Sequence, residues 1–245
     1  MPDEIKIGII GGSGLEDPAF IDDYSTTKAE TPYGDPSSDL IVGKIGDVPV
    51  VIISRHGEGH TINPTNVNYR ANIWSLKEQG CSHLLATTAC GSLKKKIKPG
   101  EFVFPDQFID RTTKRITTFY DDSTVQHVPM GTPFCAITSA ILQDQAGKLG
   151  LSFHSQGTVV TIEGPRFSSK AESMMFRSWD CDIINMSTVP EVVLAREQGI
   201  CYQNIAMSTD YDCWHESQEE VSIELVFAVM AKNAETVKNL IKNTI

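Results

Sequence analysis

The chain has 245 residues, of which 40% are apolar and 21% charged, and 21 Lys plus Arg against 31 Asp plus Glu give it a net charge of −10. That deficit of cations argues against a nucleic-acid binder, which gathers Lys and Arg against phosphates, but leaves a small anionic substrate open. No stretch approaches the roughly 18 uninterrupted apolar residues of a membrane span, and the opening Met1-Pro2-Asp3-Glu4-Ile5-Lys6 lacks the basic-then-apolar order of a signal peptide.

In chain order, the first strand is expected at Ile5–Ile10, running into Gly11-Gly12-Ser13-Gly14, and a second β-rich run at Val48–Ser54 ends at Arg55-His56-Gly57. Val67–Gln79 has Tyr69, Ile73, Trp74 and Leu76 near a 3.6-residue period and Gly80 as its stop, so it predicts a helix. His83–Cys90 reads as a strand, followed by short β-like pieces at Glu101–Phe104 and Gln107–Ile109. A helix from Thr132-Pro133 to about Leu149 precedes a strand at Gly157–Glu163, and Ser168-Ser169-Lys170-Ala171-Glu172 has the form of a helix N-terminus. Asp182–Asn185 is a short strand before a helix through Glu197, Ile200–Met207 a strand, and Gln218–Ile245 a long helix without Gly or Pro. Strands alternating with helices, with no repeat or linker, predict one α/β domain over residues 1–245, with a central mixed β-sheet flanked by helices.

Polar or Gly-rich clusters follow several of these strands, where open α/β sheets bind their ligands. Gly11-Gly12-Ser13-Gly14 suits an anion cradle or a tight turn. It is a poor dinucleotide fingerprint because Asp17 takes the place of the third glycine, and no Lys-Ser/Thr follows to make a Walker loop. Arg55 and His56 offer a guanidinium fork and an imidazole; a metal site at His56 and His60 is disfavoured by Gly57 and Gly59, which break the helix it would need. Thr87-Thr88-Ala89-Cys90-Gly91-Ser92 is a third anion-compatible cluster, in which Cys90 reads as a packed residue rather than a nucleophile. The six cysteines form no C-x-x-C pair and read as small buried hydrophobes of a reducing, cytoplasmic compartment. In Asp210-Tyr211-Asp212, extended chain would point both carboxylates the same way. Such a pair raises its own pKa and can accept from an amine while donating to a ring nitrogen; a solvated acidic turn or a metal site are the alternatives.

Taken in order, these clusters resemble the nucleoside phosphorylases that use inorganic phosphate, and specifically those acting on 5′-methylthioadenosine. The likeness runs through Gly8–Gly14, Ser54–Gly57, Asn68–Trp74, Thr87–Ser92, Gln107–Asp110, Ile162–Ser168, Asn185–Glu191 and Ser208–Asp212, nearly the whole chain. It implies a phosphate site of Ser13, Arg55, His56, Thr88, Ala89 and Ser187, with serine at 13 and 187 where the family often has threonine. It further implies that Met186 lines the ribose, that Phe167 stacks on the base beside Ser168, and that Asp210 and Asp212 recognise adenine, Asp210 being the catalytic acid. Ile223 and Val226 would wall an apolar 5′ pocket, which His127 of a neighbouring subunit would complete; Thr209 falls near the site without an assigned part. The family is trimeric or hexameric, the trimer being favoured here, and needs no metal or organic cofactor, phosphate being a co-substrate. Two carboxyls accept from a 6-amino group but oppose a 6-oxo group, which separates this reading from 6-oxopurine or methylthioinosine phosphorylases. A non-catalytic nucleotide-binding module, a hydrolase using water and an NAD-dependent oxidoreductase are the other readings. No function is expected of His60, His83, His154 or His215.

Overall fold

The computed structural model describes residues 5–11, 20–122, 124–216 and 222–245. Eleven strands form one mixed sheet: β1 (Ile7–Gly11), β2 (Asp22–Thr27), β3 (Leu40–Ile45), β4 (Val48–Ser54), β5 (His83–Ser92), β6 (Phe102–Val103), β7 (Gln107–Arg111), β8 (Phe153–His154), β9 (Thr158–Ile162), β10 (Ile183–Asn185) and β11 (Cys201–Asp210). The main path runs β2-β3-β4-β1-β5-β10-β9-β7, while β11 pairs with β5 and β6, and β8 with β6. Among the described residues five α-helices flank it: α1 (Tyr69–Glu78), α2 (Ala136–Lys148), α3 (Lys170–Ser178), α4 (Thr188–Glu197) and α5 (Ile223–Thr244). Helices α1 and α4 pack on one apolar cluster with Ile10, Ile53, Leu84 and Tyr202. Helices α2 and α5 pack on another with Ile9, Ile52, Leu85 and Ile205. Successive residues of β1, β4 and β5 thus serve opposite faces, which is why Ile9-Ile10, Val50–Ile53 and Leu84–Ala86 are unbroken apolar runs.

The caps are legible in the side chains. Asn68 accepts from the Ala71 N–H to open α1, and Ser169 and Glu172 form a reciprocal capping box that opens α3. Three strands lie outside the expected set. β2 and β3 form an antiparallel extension on β4; β2 is exposed along its whole length, so burial left no apolar pattern there. β8 has only two residues. The expected β5 also proves longer, running on through Gly91 and Ser92.

The course of β5 creates the site. Its first residues pair with β1, Ile7 opposite His83 through Ile10 opposite Ala86. On the same side, Gly91 and Ser92 pair with β10, running the other way. Between Ala86 and Gly91 the neighbours part, and among the described residues no strand pairs with that edge of β5. The opposite edge is occupied continuously by β11. A parting of neighbouring strands at their carboxyl ends is where such sheets take ligands.

Candidate active site

A cavity of about 410 Å³ opens at that parting. Its wall takes Arg55 and His56 from the end of β4, Thr87–Gly91 from β5, Ile162 from β9, Ile184 to Ser187 around the end of β10, and Thr209, Asp210 and Asp212 from β11 and the turn beyond it. The structure thereby brings together Arg55, His56, Thr88, Ala89, Phe167, Ser168, Met186, Ser187, Asp210, Asp212, Ile223 and Val226. Ser13 lies outside the described residues. His127 is exposed on the segment before α2 and is not among the residues lining the cavity.

Arg55 is held rigidly. It is 1% exposed and forms a two-pronged pair with Glu191 of α4, through Nε and through Nη2 at 3.0 Å. Its Nη1 donates to the Thr87 carbonyl at 2.8 Å, and the Tyr202 hydroxyl donates to Glu191 at 2.8 Å. Burial alone would weaken the guanidinium's charge, but Glu191 overrides it and pushes the pKa upward. Among the described residues three of its five N–H groups are engaged, which leaves two for an anion.

His56 Nδ1 lies 2.9 Å from the Ile62 carbonyl, which can only accept, so Nδ1 carries the hydrogen. Burial, reinforced by the Arg55 charge, pushes this imidazole down to about 3, so it is neutral. His60, expected to play no part, lines the cavity instead: its ring stacks on His56 at 4.2 Å and meets Phe227 edge-on at 5.3 Å. Between the two histidines, Gly57 and Gly59, both at positive φ, allow the tight loop that puts both imidazoles there.

Ala89 has no polar side chain, so only its main chain can meet a ligand. Thr87 points its carbonyl across the open edge to Arg55. The two-residue strand repeat then directs the Ala89 main-chain groups to the same edge. Ser187 precedes α4 without capping it, which leaves its hydroxyl for the cavity it lines.

The two aspartates converge differently from the extended geometry expected of them. The β5–β11 register shifts between Ser208 and Asp210, a bulge that re-aims the strand end, and Asp212 sits in a short turn at φ 51. Asp210 accepts from the Thr209 hydroxyl and from the Asp212 N–H, both at 2.7 Å. Burial raises its pKa above the ordinary carboxylate value, with a contribution from the negative Asp212. Burial likewise raises Asp212. Gly91 is required beneath them, since a Cβ there would lie 3.0 Å from Asp210 Oδ1 and 3.1 Å from Ile184. Two buried polar atoms at this end, Ser168 Oγ and Asp212 Oδ2, have no hydrogen-bond partner among the described residues. Burying such atoms is costly unless a polar ligand meets them. Cys90 beside them is fully packed, and burial pushes its thiol well above the usual range, as suits a filler.

Ile223 and Val226 are joined on the cavity wall by Phe227 and Met230. These two were legible in principle, because 223, 226, 227 and 230 share one face of α5. Glu191 was not: a lone acid inside an apolar helix gives no local sign of its partner 136 positions away.

Comparison with known proteins gives a consistent neighbourhood. A family model described as the phosphorylase superfamily matches residues 6–245. S-methyl-5′-thioadenosine phosphorylase of Danio rerio is 56% identical over 98% of this chain and 88% of its own length. That of Anopheles gambiae is 55% identical over 100% and 90%. Among solved structures, methylthioadenosine phosphorylase from Schistosoma mansoni in complex with adenine superposes with a TM-score of 0.95 at 42% identity, covering 98% of this chain and 90% of that one. A mutant of adenosine/methylthioadenosine phosphorylase from the same organism, in complex with methylthioadenosine, gives 0.94 at 41%, with the same coverage.

Proposed function

This chain belongs to the phosphorylase superfamily, and from that premise we propose that it cleaves the N-glycosidic bond of 5′-methylthioadenosine with inorganic phosphate, releasing adenine and 5-methylthioribose 1-phosphate. The observation that carries the reading is the composition of one cavity. Anion donors around Arg55, a buried carboxyl pair with partnerless polar atoms, and an apolar wall on α5 line the same 410 Å³ space.

The chemistry follows from that composition. Breaking the bond leaves positive charge on the ribosyl ring and negative charge on the base. Phosphate held by Arg55, the Ala89 N–H, Thr88, Ser187 and Ser13, with His56 alongside, stabilises the cationic ring and attacks C1′. Asp210, whose burial favours its protonated form, gives that proton to N7 of the leaving adenine. Asp212 accepts from the 6-amino group, Phe167 and Ser168 flank the base, and Met186 lies along the ribose. Ile223 and Val226, with Phe227 and Met230, receive the methylthio group. No step draws on a metal or an organic cofactor. We further read the enzyme as a cytoplasmic homotrimer serving purine and methionine salvage, in which the exposed His127 reaches the 5′ pocket of a neighbour. Among the described residues no helix is long and apolar enough to cross a membrane.

The test is adenine release from 5′-methylthioadenosine with and without phosphate, with methylthioinosine run in parallel. Release that requires phosphate and is confined to the 6-amino substrate is expected. Release without phosphate would make the enzyme a hydrolase and leave the anion donors unexplained. A preference for methylthioinosine would overturn the carboxyl reading of the base site.

A further inference from the structure

Behind the open edge of β5 lies a chain of buried amides and hydroxyls that the mechanism above does not use. Thr161, Asn185, Thr188 and Asn204 are all at most 5% exposed. The Asn185 amide NH₂ donates to the Thr188 hydroxyl at 2.7 Å, and the Asn204 NH₂ donates to the same oxygen at 2.6 Å. On the other side of Asn204, the Thr88 hydroxyl donates to its amide oxygen at 3.0 Å. Asn185 is anchored in turn by the Thr161 hydroxyl at 3.0 Å.

This arrangement has a defect at each end. Thr188 receives two hydrogen bonds, and among the described residues no acceptor takes its own proton. Thr88 has one proton, and Asn204 takes it; its oxygen also accepts from the Asn185 NH₂ at 3.4 Å, so all its hydroxyl can offer the cavity is a remaining lone pair, an acceptor. An acceptor is the wrong group to present to phosphate. A half-turn of the Asn204 amide exchanges oxygen and nitrogen within the same volume. Thr188 then donates to Asn204, Asn204 donates to Thr88, and the Thr88 proton is released into the cavity.

We propose that Asn204 is a positioning residue for phosphate: its amide, locked by Thr188, turns the Thr88 hydroxyl into a donor aimed at the bound anion. The inference rests on the phosphate site read above, with Thr88 as one of its donors. The directionality is imposed from inside the fold. The Ser187 and Thr188 N–H groups donate to Asn185 Oδ1 at 3.4 and 3.5 Å, so the Asn185 NH₂ is the end that meets Thr188 and the Thr188 proton is left to face Asn204. Each hydroxyl passes its proton one position toward the cavity, and Asn204 sets the direction for the last of them.

A double-mutant cycle tests this with steady-state kinetics on both substrates. Thr88→Val should raise the KM for phosphate by about tenfold or more, the worth of a hydrogen bond to a charged group, with little change in the KM for the nucleoside. Asn204→Leu should produce a similar rise, again confined to phosphate. The double variant should bind phosphate no worse than Thr88→Val alone, because Asn204 acts only through that hydroxyl. Thr188→Val is nearly isosteric and keeps the test if Asn204→Leu does not fold; it should raise the phosphate KM a few-fold, and not at all in the Thr88→Val background. A phosphate KM unmoved by Thr88→Val would remove Thr88 from the phosphate site itself. A normal response to Thr88→Val, with the Asn204 or Thr188 effect absent or fully multiplicative upon it, would overturn the positioning role alone.

Discussion

Replacing Glu191 by Gln keeps the shape of the side chain and deletes its charge, leaving Arg55 ionised where both partners are only 1% exposed. Removing one member of a buried pair costs about 3–5 kcal/mol, because the other charge stays buried without compensation. For a chain of this length each kcal/mol moves the melting midpoint by roughly 2–4 °C, so Glu191→Gln should melt about 6–20 °C below the parent in phosphate-free buffer. Arg55 also faces the cavity and keeps its Thr87 anchor, so a bound phosphate dianion supplies the missing countercharge. Phosphate should therefore raise the melting midpoint of Glu191→Gln by more than it raises that of the parent, and narrow the gap. Differential scanning fluorimetry across a phosphate series reads both quantities. An equal deficit at every phosphate concentration would refute the reasoning, since Arg55 would then not be the group that phosphate meets.

Asp210→Asn should leave the fold intact, since it relieves a buried acid whose pKa burial has already raised. It should lower kcat for the 6-amino substrate by about 10²–10⁴-fold, the usual worth of a placed proton donor; near-parent turnover would remove Asp210 from that role. His56 titrates near 3 in the folded chain against 6.5 when free, so its contribution to stability is present above 6.5 and is lost as the pH falls towards 3. At about pH 5 that loss amounts to roughly 2 kcal/mol, and urea unfolding should show it in the parent but not in His56→Asn. Gly164→Ala would set a Cβ 2.5 Å from the Met186 sulfur at φ +68. It should cost about 1–3 kcal/mol in stability and raise the nucleoside KM while sparing the phosphate KM, because Met186 and not the anion donors would be displaced.

The parts of the molecule that were legible are those whose partners are close in sequence or whose pattern is set by burial. Apolar runs such as Val48–Ser54 and His83–Cys90, and the Ser169–Glu172 cap, announce themselves within a few residues. The resemblance to phosphate-using phosphorylases is shown by the matching family and relatives, and the 6-amino substrate reading agrees with the relatives' names. β2 escaped because every residue in it is exposed and a strand without a buried face has no alternation to read. The Asp210–Asp212 pair meets in the cavity through a bulge and a left-handed residue, neither of which an i, i+2 spacing encodes. The Arg55–Glu191–Tyr202 group and the Asn185–Thr188–Asn204 chain join residues from separate strands and helices, so only the tertiary fold assembles them. No function was expected of His60, because nothing in the residues around it signals the aromatic partners that position it.

The parting of β1 and β10 along one side of β5 has a consequence for inheritance. In the phosphate site proposed above, part of the anion's seat is main chain, directed into the gap at Ala89 by the strand itself. Replacement of the side chain at position 89 does not erase an amide hydrogen; only proline removes one. On the same proposal, either serine or threonine at position 187 would keep the hydroxyl that helps to hold the anion there. A phosphate site built this way would let the groups that tune affinity change while the topology keeps the place where the anion sits.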